Sequence, residues 1–167
     1  MTTIVLIGPP GAGKSTVGKA LSKRLNLNFI DTDQLVEERS GKSITEIFLD
    51  SGEAEFRFLE REVVLESLNK TNLVVALGGG SVLDAEVQSQ LSGMGNVVFL
   101  DVSISNAAPR VGFNRERPLL LGNPRQQWLA LMEKRRPIYE SLAKIVVNTD
   151  NKKANEIADS LVGEFDK

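Results

Sequence analysis

The sequence predicts a single α/β domain, with a parallel sheet covered by helices on both faces. Three observations lead there. Short, β-branched apolar runs alternate with segments of helical periodicity along the chain. The informative glycines and polar residues fall just after those runs, where ligands bind in open parallel sheets. No repeat, linker or low-complexity stretch divides the 167 residues, a length that suits one core.

Taken in order, Thr3–Ile7 is a short buried strand. Ser15–Leu25 is a helix with Val17, Leu21 and Leu25 on one face. Asn28–Ile30 is a second strand that runs into Asp31-Thr32-Asp33. Leu35–Ser40 is a short helix stopped by Gly41. Ser43-Ile44-Thr45-Glu46 has the form of a capping box and starts a helix to about Leu49. Asp50-Ser51-Gly52 breaks it. Glu53–Leu68 has acids in its first turn and Phe56, Leu59 and Val63 on one face, so it is a helix.

Leu73–Leu77 is the third strand and ends in Gly78-Gly79-Gly80. A helix over Asp84–Leu91 and a strand over Asn96–Leu100, ending at Asp101, come next. Ser103–Val111 is a short helix whose Pro109 predicts a late start or a bend. Residues 112–124 hold two glycines, two prolines and the charges Arg115, Glu116 and Arg117, and read as a mobile lid. A helix over Arg125–Leu142 with a kink near Pro137, a strand over Ile145–Val147 and a helix over Lys153–Gly163 close the chain.

Composition sets limits. The chain is 41% hydrophobic and 25% charged, as soluble globular domains are. Its net charge of −2, with signs interspersed, argues against nucleic acid or a membrane surface as partner. No apolar run has the length of a membrane span, and the start of the chain enters a strand directly. With no cysteine, a cytoplasmic location is expected. With no histidine, a general base must be a carboxylate, lysine, tyrosine or water.

The firmest motif is Gly8-Pro9-Pro10-Gly11-Ala12-Gly13-Lys14-Ser15, between the first strand and the first helix. This is the phosphate-binding P-loop pattern in its strand–loop–helix context. Glycines bring backbone N–H groups close to phosphate oxygens, and the helix start adds partial positive charge. Gly11, Ala12, Gly13, Lys14, Ser15 and Thr16 are the candidate nucleotide contacts, with Ser15 also a Mg²⁺ ligand.

Asp31 and Asp33 follow the second strand. In an extended segment their side chains share one side. One then helps to hold Mg²⁺ through water, and the other orients a substrate hydroxyl and takes its proton. A helix N-cap beside a solvated aspartate is the plainer alternative. Gly78–Gly80 exceeds what a tight turn needs, so close approach of backbone to ligand is expected. Arg57 has an i,i+4 partner in Glu53. Arg135 shares a face with Trp128 and Leu131, and Arg136 with Leu129 and Met132. Periodicity does not say which points inward, but an arginine beside an apolar face suits a bidentate carboxylate clamp. Arg117 in the lid suits transferring phosphate, and Arg110 suits an adenine ring.

In that order, the P-loop, Asp31-Thr32-Asp33, Gly52-Glu53-x-x-Phe56-Arg57-x-x-Glu60, Gly78-Gly79-Gly80, Arg117-Pro118-Leu119-Leu120 and Arg135-x-Pro137-x-Tyr139 closely resemble the shikimate kinase family. The likeness spans nearly the whole chain. It implies a three-layer α/β/α P-loop kinase fold of the nucleoside-monophosphate-kinase type, with a five-stranded parallel sheet in order 2-3-1-4-5. It also implies one domain over 1–167, with the P-loop at 8–16, a substrate region near 32–60 and the lid near 112–124. The implied reaction is transfer of the ATP γ-phosphate to the 3-hydroxyl of shikimate, with Mg²⁺, by a cytoplasmic monomer.

In that resemblance Asp33 activates the hydroxyl, while Lys14 and Arg117 stabilise the moving phosphate. Arg57 and Arg135 clamp the substrate carboxylate beside Gly78, Gly79 and Gly80. Ser15 and Asp31 serve Mg²⁺, and Arg110 lies on the adenine side. A different small-molecule P-loop kinase, acting on gluconate or a nucleoside monophosphate, is the alternative. A GTP-dependent switch is disfavoured, because Asn151-Lys152-Lys153-Ala154 lacks the aspartate of a guanine-reading motif.

Overall fold

The structure, a computed structural model, describes residues 2–111 and 124–165, with backbone alone for 108–111. Five parallel strands, β1 (Thr3–Ile7), β2 (Asn28–Asp31), β3 (Leu73–Ala76), β4 (Val97–Asp101) and β5 (Ile145–Asn148), form one sheet in order β2-β3-β1-β4-β5. Central β1 pairs Val5 with Val75 of β3 and with Val97 of β4. Its residues from Ile4 to Ile7 are buried, as are all of β3 and most of β4. A strand covered on both faces must be apolar at every position, which is why these runs do not alternate.

Helices α1 (Lys14–Leu25) and α7 (Ala154–Phe165) pack together as one outer layer. In the other layer, α4 (Ala85–Ser92) packs on both α3 (Ile44–Leu68) and α6 (Pro124–Leu142), and α6 meets α5 (Ile104–Val111). The main core lies between the layers, and each fully buried Leu or Ile there contributes about 1.5–3 kcal/mol. Val36, Ile44, Ile47, Phe56 and Val63 form a separate small core between α2 (Thr32–Ser40) and α3. Phe48 and Phe56 stack within it with ring centres 5.0 Å apart.

Element boundaries differ from the sequence reading in ways that matter for the site. Helix α2 begins at Thr32, not Leu35, because Asp31 is its N-cap and accepts from Gln34 N at 3.2 Å. Asp33 therefore stands in the first helical turn rather than in an extended segment. The Ser43 capping box is present, with Glu46 returning its side chain to Ser43 N. The two helices expected around Gly52 form one element with a break at that residue, φ 86° and ψ 172°. Only glycine takes that conformation without strain, and nothing lies within 4 Å of where a Cβ would be.

Gly80 is followed by a 3₁₀ turn, Ser81–Leu83, before Asp84 caps α4. Helix α5 starts at Ile104 and is helical through Pro109 to Val111. Helix α6 likewise continues through Pro137. The lid expected at 112–124 lies outside the described residues up to position 123.

Candidate active site

The P-loop leaves β1 and turns into α1. Gly13 is the N-cap in a left-handed conformation (φ 89°), without a side-chain cap on the first turn of α1. The loop's carbonyls are turned inward. Lys14 Nζ donates to the Gly8 and Pro9 carbonyls at 2.8 and 3.0 Å, and Trp128 Nε1 donates to the Pro10 carbonyl at 3.1 Å. Amides and a helix start without a side-chain cap suit an anion.

A cleft of about 910 Å³ opens over this loop. It is lined by Gly11, Gly13, Lys14, Ser15 and Thr16 on one wall, and by Asp31, Asp33, Gly78 and Gly79 across from them. Ala12 is buried beneath the loop. Asp31 does two jobs. One carboxylate oxygen caps α2, and the other accepts the Ser15 hydroxyl. The capping reading and the metal reading of Asp31 are thus compatible. Ser15 and Asp31 present hard oxygen donors side by side, which suits Mg²⁺. Among the described residues no group of three or more carboxylates forms a metal cage.

The glycine turn after β3 organises the opposite wall. A Cβ at Gly78 would stand 2.5 Å from Asp33 Oδ1 and 3.1 Å from Glu60 Oε2. At Gly79 it would stand 3.1 Å from Pro10 Cδ and 3.3 Å from Arg135 Nη1. At Gly80 it would stand 2.7 Å from both terminal nitrogens of Arg57. Close approach of backbone to ligand is expected here; in the structure the groups that approach are protein side chains. The space of the missing side chains goes to charged groups, Asp33 and Glu60 at Gly78, Arg135 beside Pro10 at Gly79, and Arg57 at Gly80.

The turn is held by three hydroxyls. Thr32 Oγ1 accepts from Gly78 N at 3.2 Å, Ser81 Oγ donates to the Gly78 carbonyl at 2.7 Å, and Tyr139 Oη donates to the Gly79 carbonyl at 2.6 Å. Leu83 N takes the Gly80 carbonyl at 3.1 Å.

The arginines sort themselves. Arg135 is buried on the face of α6 that carries Trp128, Met132 and Tyr139, so it is the inward one. Arg136 turns the other way and forms a two-pronged ion pair with Asp101, at 2.7 and 3.0 Å. That hydrogen bond raises the Arg136 pKa above its ordinary value, against the opposing effect of burial. Asp101, at a strand end where a ligand contact is expected, is thus part of the frame. Arg57 keeps its contact to Glu53 at 3.6 Å, but its shorter partner is Glu60 at 2.8 Å.

A smaller hollow of about 320 Å³ lies alongside Gly80, lined by Glu53, Arg57, Glu60, Arg61 and Asp84 among others. Arg61 Nε meets Asp84 Oδ2 at 2.5 Å. Burial pushes the Asp84 carboxyl up, but the Arg61 hydrogen bond and the Val87 and Glu86 amides outweigh it and hold it below its ordinary value.

The structure therefore places Lys14, Ser15, Asp31, Asp33, Gly78 and Gly79 around the cleft, Arg57 and Gly80 around the smaller hollow, and buried Arg135 against Gly79. The side chain of Arg110 and all of Arg117 lie outside the described residues. Three site neighbours carried no assigned role in the sequence reading. Glu60 is an acid on the apolar stripe of its own helix, with Phe56, Val63 and Ser67. Trp128 and Tyr139 look like core residues by periodicity, and only their hydrogen bonds show what they hold.

Residues 10–165 match the family model described as shikimate kinase. A shikimate kinase of Thermobifida fusca is 49% identical over 161 residues, covering 96% of this chain and 93% of that one. A shikimate kinase of Streptomyces coelicolor is 48% identical over 154 residues, 92% of this chain and 90% of its own. The solved shikimate kinase of Acinetobacter baumannii in complex with shikimate superposes with a TM-score of 0.94 at 34% identity, over 99% of this chain and 93% of that chain.

Proposed function

The chain belongs to the shikimate kinase family, and we propose how its two walls divide that family's reaction. The enzyme transfers the γ-phosphate of ATP, carried with Mg²⁺, to the 3-hydroxyl of shikimate. The product, shikimate 3-phosphate, serves aromatic amino acid biosynthesis.

The P-loop wall holds the donor. Backbone amides over residues 11–16 receive the phosphates, and Lys14 moves from the loop carbonyls to the outer phosphate oxygens. Ser15 and Asp31 hold Mg²⁺, which when bound neutralises phosphate charge. Arg110 serves the adenine side. The opposite wall holds the acceptor. Arg57 and Arg135 grip the shikimate carboxylate as planar forks, beside the amides of Gly79 and Gly80. Asp33 accepts the proton of the 3-hydroxyl as its oxygen bonds to phosphorus and the bond to the leaving ADP oxygen breaks. Lys14 and Arg117 offset the charge that spreads over the transferring group. Little covalent work falls to the protein, so a histidine-free site suffices.

One observation carries this reading. Asp33, Arg135 and Arg57 rest in turn on Gly78, Gly79 and Gly80, and Asp33, Gly78 and Gly79 line the cleft over the P-loop. One carboxylate and two arginines match a polyhydroxylated carboxylate. They do not match a nucleotide acceptor; gluconate, also a polyhydroxylated carboxylate, is separated from shikimate by the acceptor assay. The test is ADP release, measured with shikimate, gluconate and nucleoside monophosphates. Shikimate-dependent turnover is expected, and turnover with another acceptor but not shikimate would overturn the assignment. The same reading takes residues 1–167 as one domain, acting as a cytoplasmic monomer. Among the described residues no helix is long and apolar enough to cross a membrane.

A further inference from the structure

Helix α6 touches both walls of the cleft through one face. Trp128, Met132, Arg135 and Tyr139 are its inward residues, spaced to lie one above another. Trp128 Nε1 holds the Pro10 carbonyl of the P-loop, at 3.1 Å. Tyr139 Oη holds the Gly79 carbonyl of the glycine turn, at 2.6 Å. Both side chains are buried, Trp128 at 2% exposure and Tyr139 at 0%.

The tyrosine ring is fixed from below by Phe99 of β4, with ring centres 5.0 Å apart. Its hydroxyl thus reaches the turn from a rigid base. Gly79 is where the two walls meet. The position of a Cβ there is 3.1 Å from Pro10 Cδ, 3.4 Å from the Gly8 carbonyl oxygen and 3.3 Å from Arg135 Nη1. The same peptide is therefore wedged between donor loop and acceptor clamp, and α6 bonds to both sides of the wedge.

We propose that Trp128 and Tyr139 are positioning residues: through them α6 sets the spacing between the phosphate loop and the acceptor bed. Tyr139 turns the Gly79 carbonyl away from the cleft, which aims the neighbouring amides at the acceptor carboxylate. Trp128 does the same for Pro10, keeping the P-loop amides on the phosphates. Neither touches the reacting atoms. Each acts through a backbone carbonyl. This rests on the assignment of the Gly79–Arg135 side as the acceptor carboxylate site.

The mechanism predicts a split that general loosening of the core does not. Tyr139→Phe keeps the ring and its packing and removes only the hydroxyl. The KM for shikimate should rise by roughly three- to tenfold, with the KM for ATP within twofold, the size expected for one lost hydrogen bond. Trp128→Phe should give the mirror image, a raised KM for ATP and an unchanged KM for shikimate. The shikimate-induced rise in melting temperature gives a second readout without turnover, and it should shrink in Tyr139→Phe alone. Arg135→Ala separates this proposal from the reading beneath it. If Arg135→Ala leaves the KM for shikimate unchanged, the acceptor site itself is misplaced. If Arg135→Ala raises it while folded Tyr139→Phe does not, or if both KM values rise together in either variant, the positioning role is wrong. Should Tyr139→Phe not fold, the Trp128→Phe arm decides.

Discussion

Asp33 lies against Gly78 so closely that a Cβ there would stand 2.5 Å from its Oδ1. The carboxylate belongs to the first turn of α2, and the glycine to the turn that follows β3. Thr32, between the two aspartates, bonds that same glycine's N–H. The proposed base is thus set against the backbone of a neighbouring strand end, and the contact requires the absence of a side chain.

Gly78→Ala should therefore act on turnover more than on folding. A methyl group displaces Asp33, and misplacement by about 1 Å can cost on the order of a hundredfold in rate. Steady-state kinetics should show kcat down by at least about tenfold, with ATP affinity within twofold of the parent. Unchanged kcat in a folded variant would mean that the position of Asp33 is not critical.

Asp33→Asn keeps the shape and removes the proton acceptor. The expected loss in kcat is about 10²–10⁴-fold, the usual worth of a positioned general base. ATP binding, followed by calorimetry, should be nearly unaffected, because Asp31 and Ser15 serve the donor side. A loss of less than about threefold would leave Asp33 a spectator rather than a base.

Arg57→Lys tests the fork. Lysine keeps the charge but loses planar, two-pronged geometry. The KM for shikimate should rise about tenfold or more, since hydrogen bonds to charged groups are worth about 1.5–3 kcal/mol. Equal loss of ATP affinity would place Arg57 in the frame instead of the acceptor site.

Gly52→Ala addresses the break in α3. Its backbone lies where only glycine is unstrained, at a cost of about 1–3 kcal/mol for any other residue. Thermal melting should fall by several degrees. The limb carrying Arg57 and Glu60 is re-aimed at this joint, so the KM for shikimate should rise as well.

The Arg61–Asp84 pair gives a pH prediction. Asp84 is held below its ordinary value of 3.8 in the folded chain, despite the opposing effect of burial. A depressed carboxyl contributes stability that is present above the ordinary value and lost as pH falls through the depressed one. The melting-temperature gap between parent and Asp84→Asn should therefore be widest near neutrality. It should close below pH about 3.8, measured at fixed ionic strength. A gap that persists in acid would assign the loss to the α4 cap and not to charge.

Much of this was legible in the chain. The apolar runs predict the three central strands, because burial on both faces leaves no room for polar residues, while the edge strands β2 and β5 are half exposed and are marked by shorter runs. The P-loop, the capping box at Ser43 and the break at Gly52 are local, and local chemistry can be read from neighbours in sequence. What was hidden depends on contacts distant in sequence. Arg135 and Arg136 are adjacent, and only Asp101, more than thirty residues away, decides which one faces inward. Helix α2 starts three residues early because the Asp31 cap works from the strand end. Tyr139 and Trp128 have the spacing of core residues and also the polar ends of positioning ones, and periodicity reports only the first.

The phase of α6 has a last consequence. Each residue turns a helix by about 100°. Inserting one residue between Trp128 and Arg135 would carry Arg135 to where Arg136 meets Asp101, and deleting one would carry it to the exposed side of Lys134; either way a neighbour takes its place. The stretch should therefore admit many substitutions at its outward positions while keeping a fixed length. In this helix the number of residues is itself part of the active site.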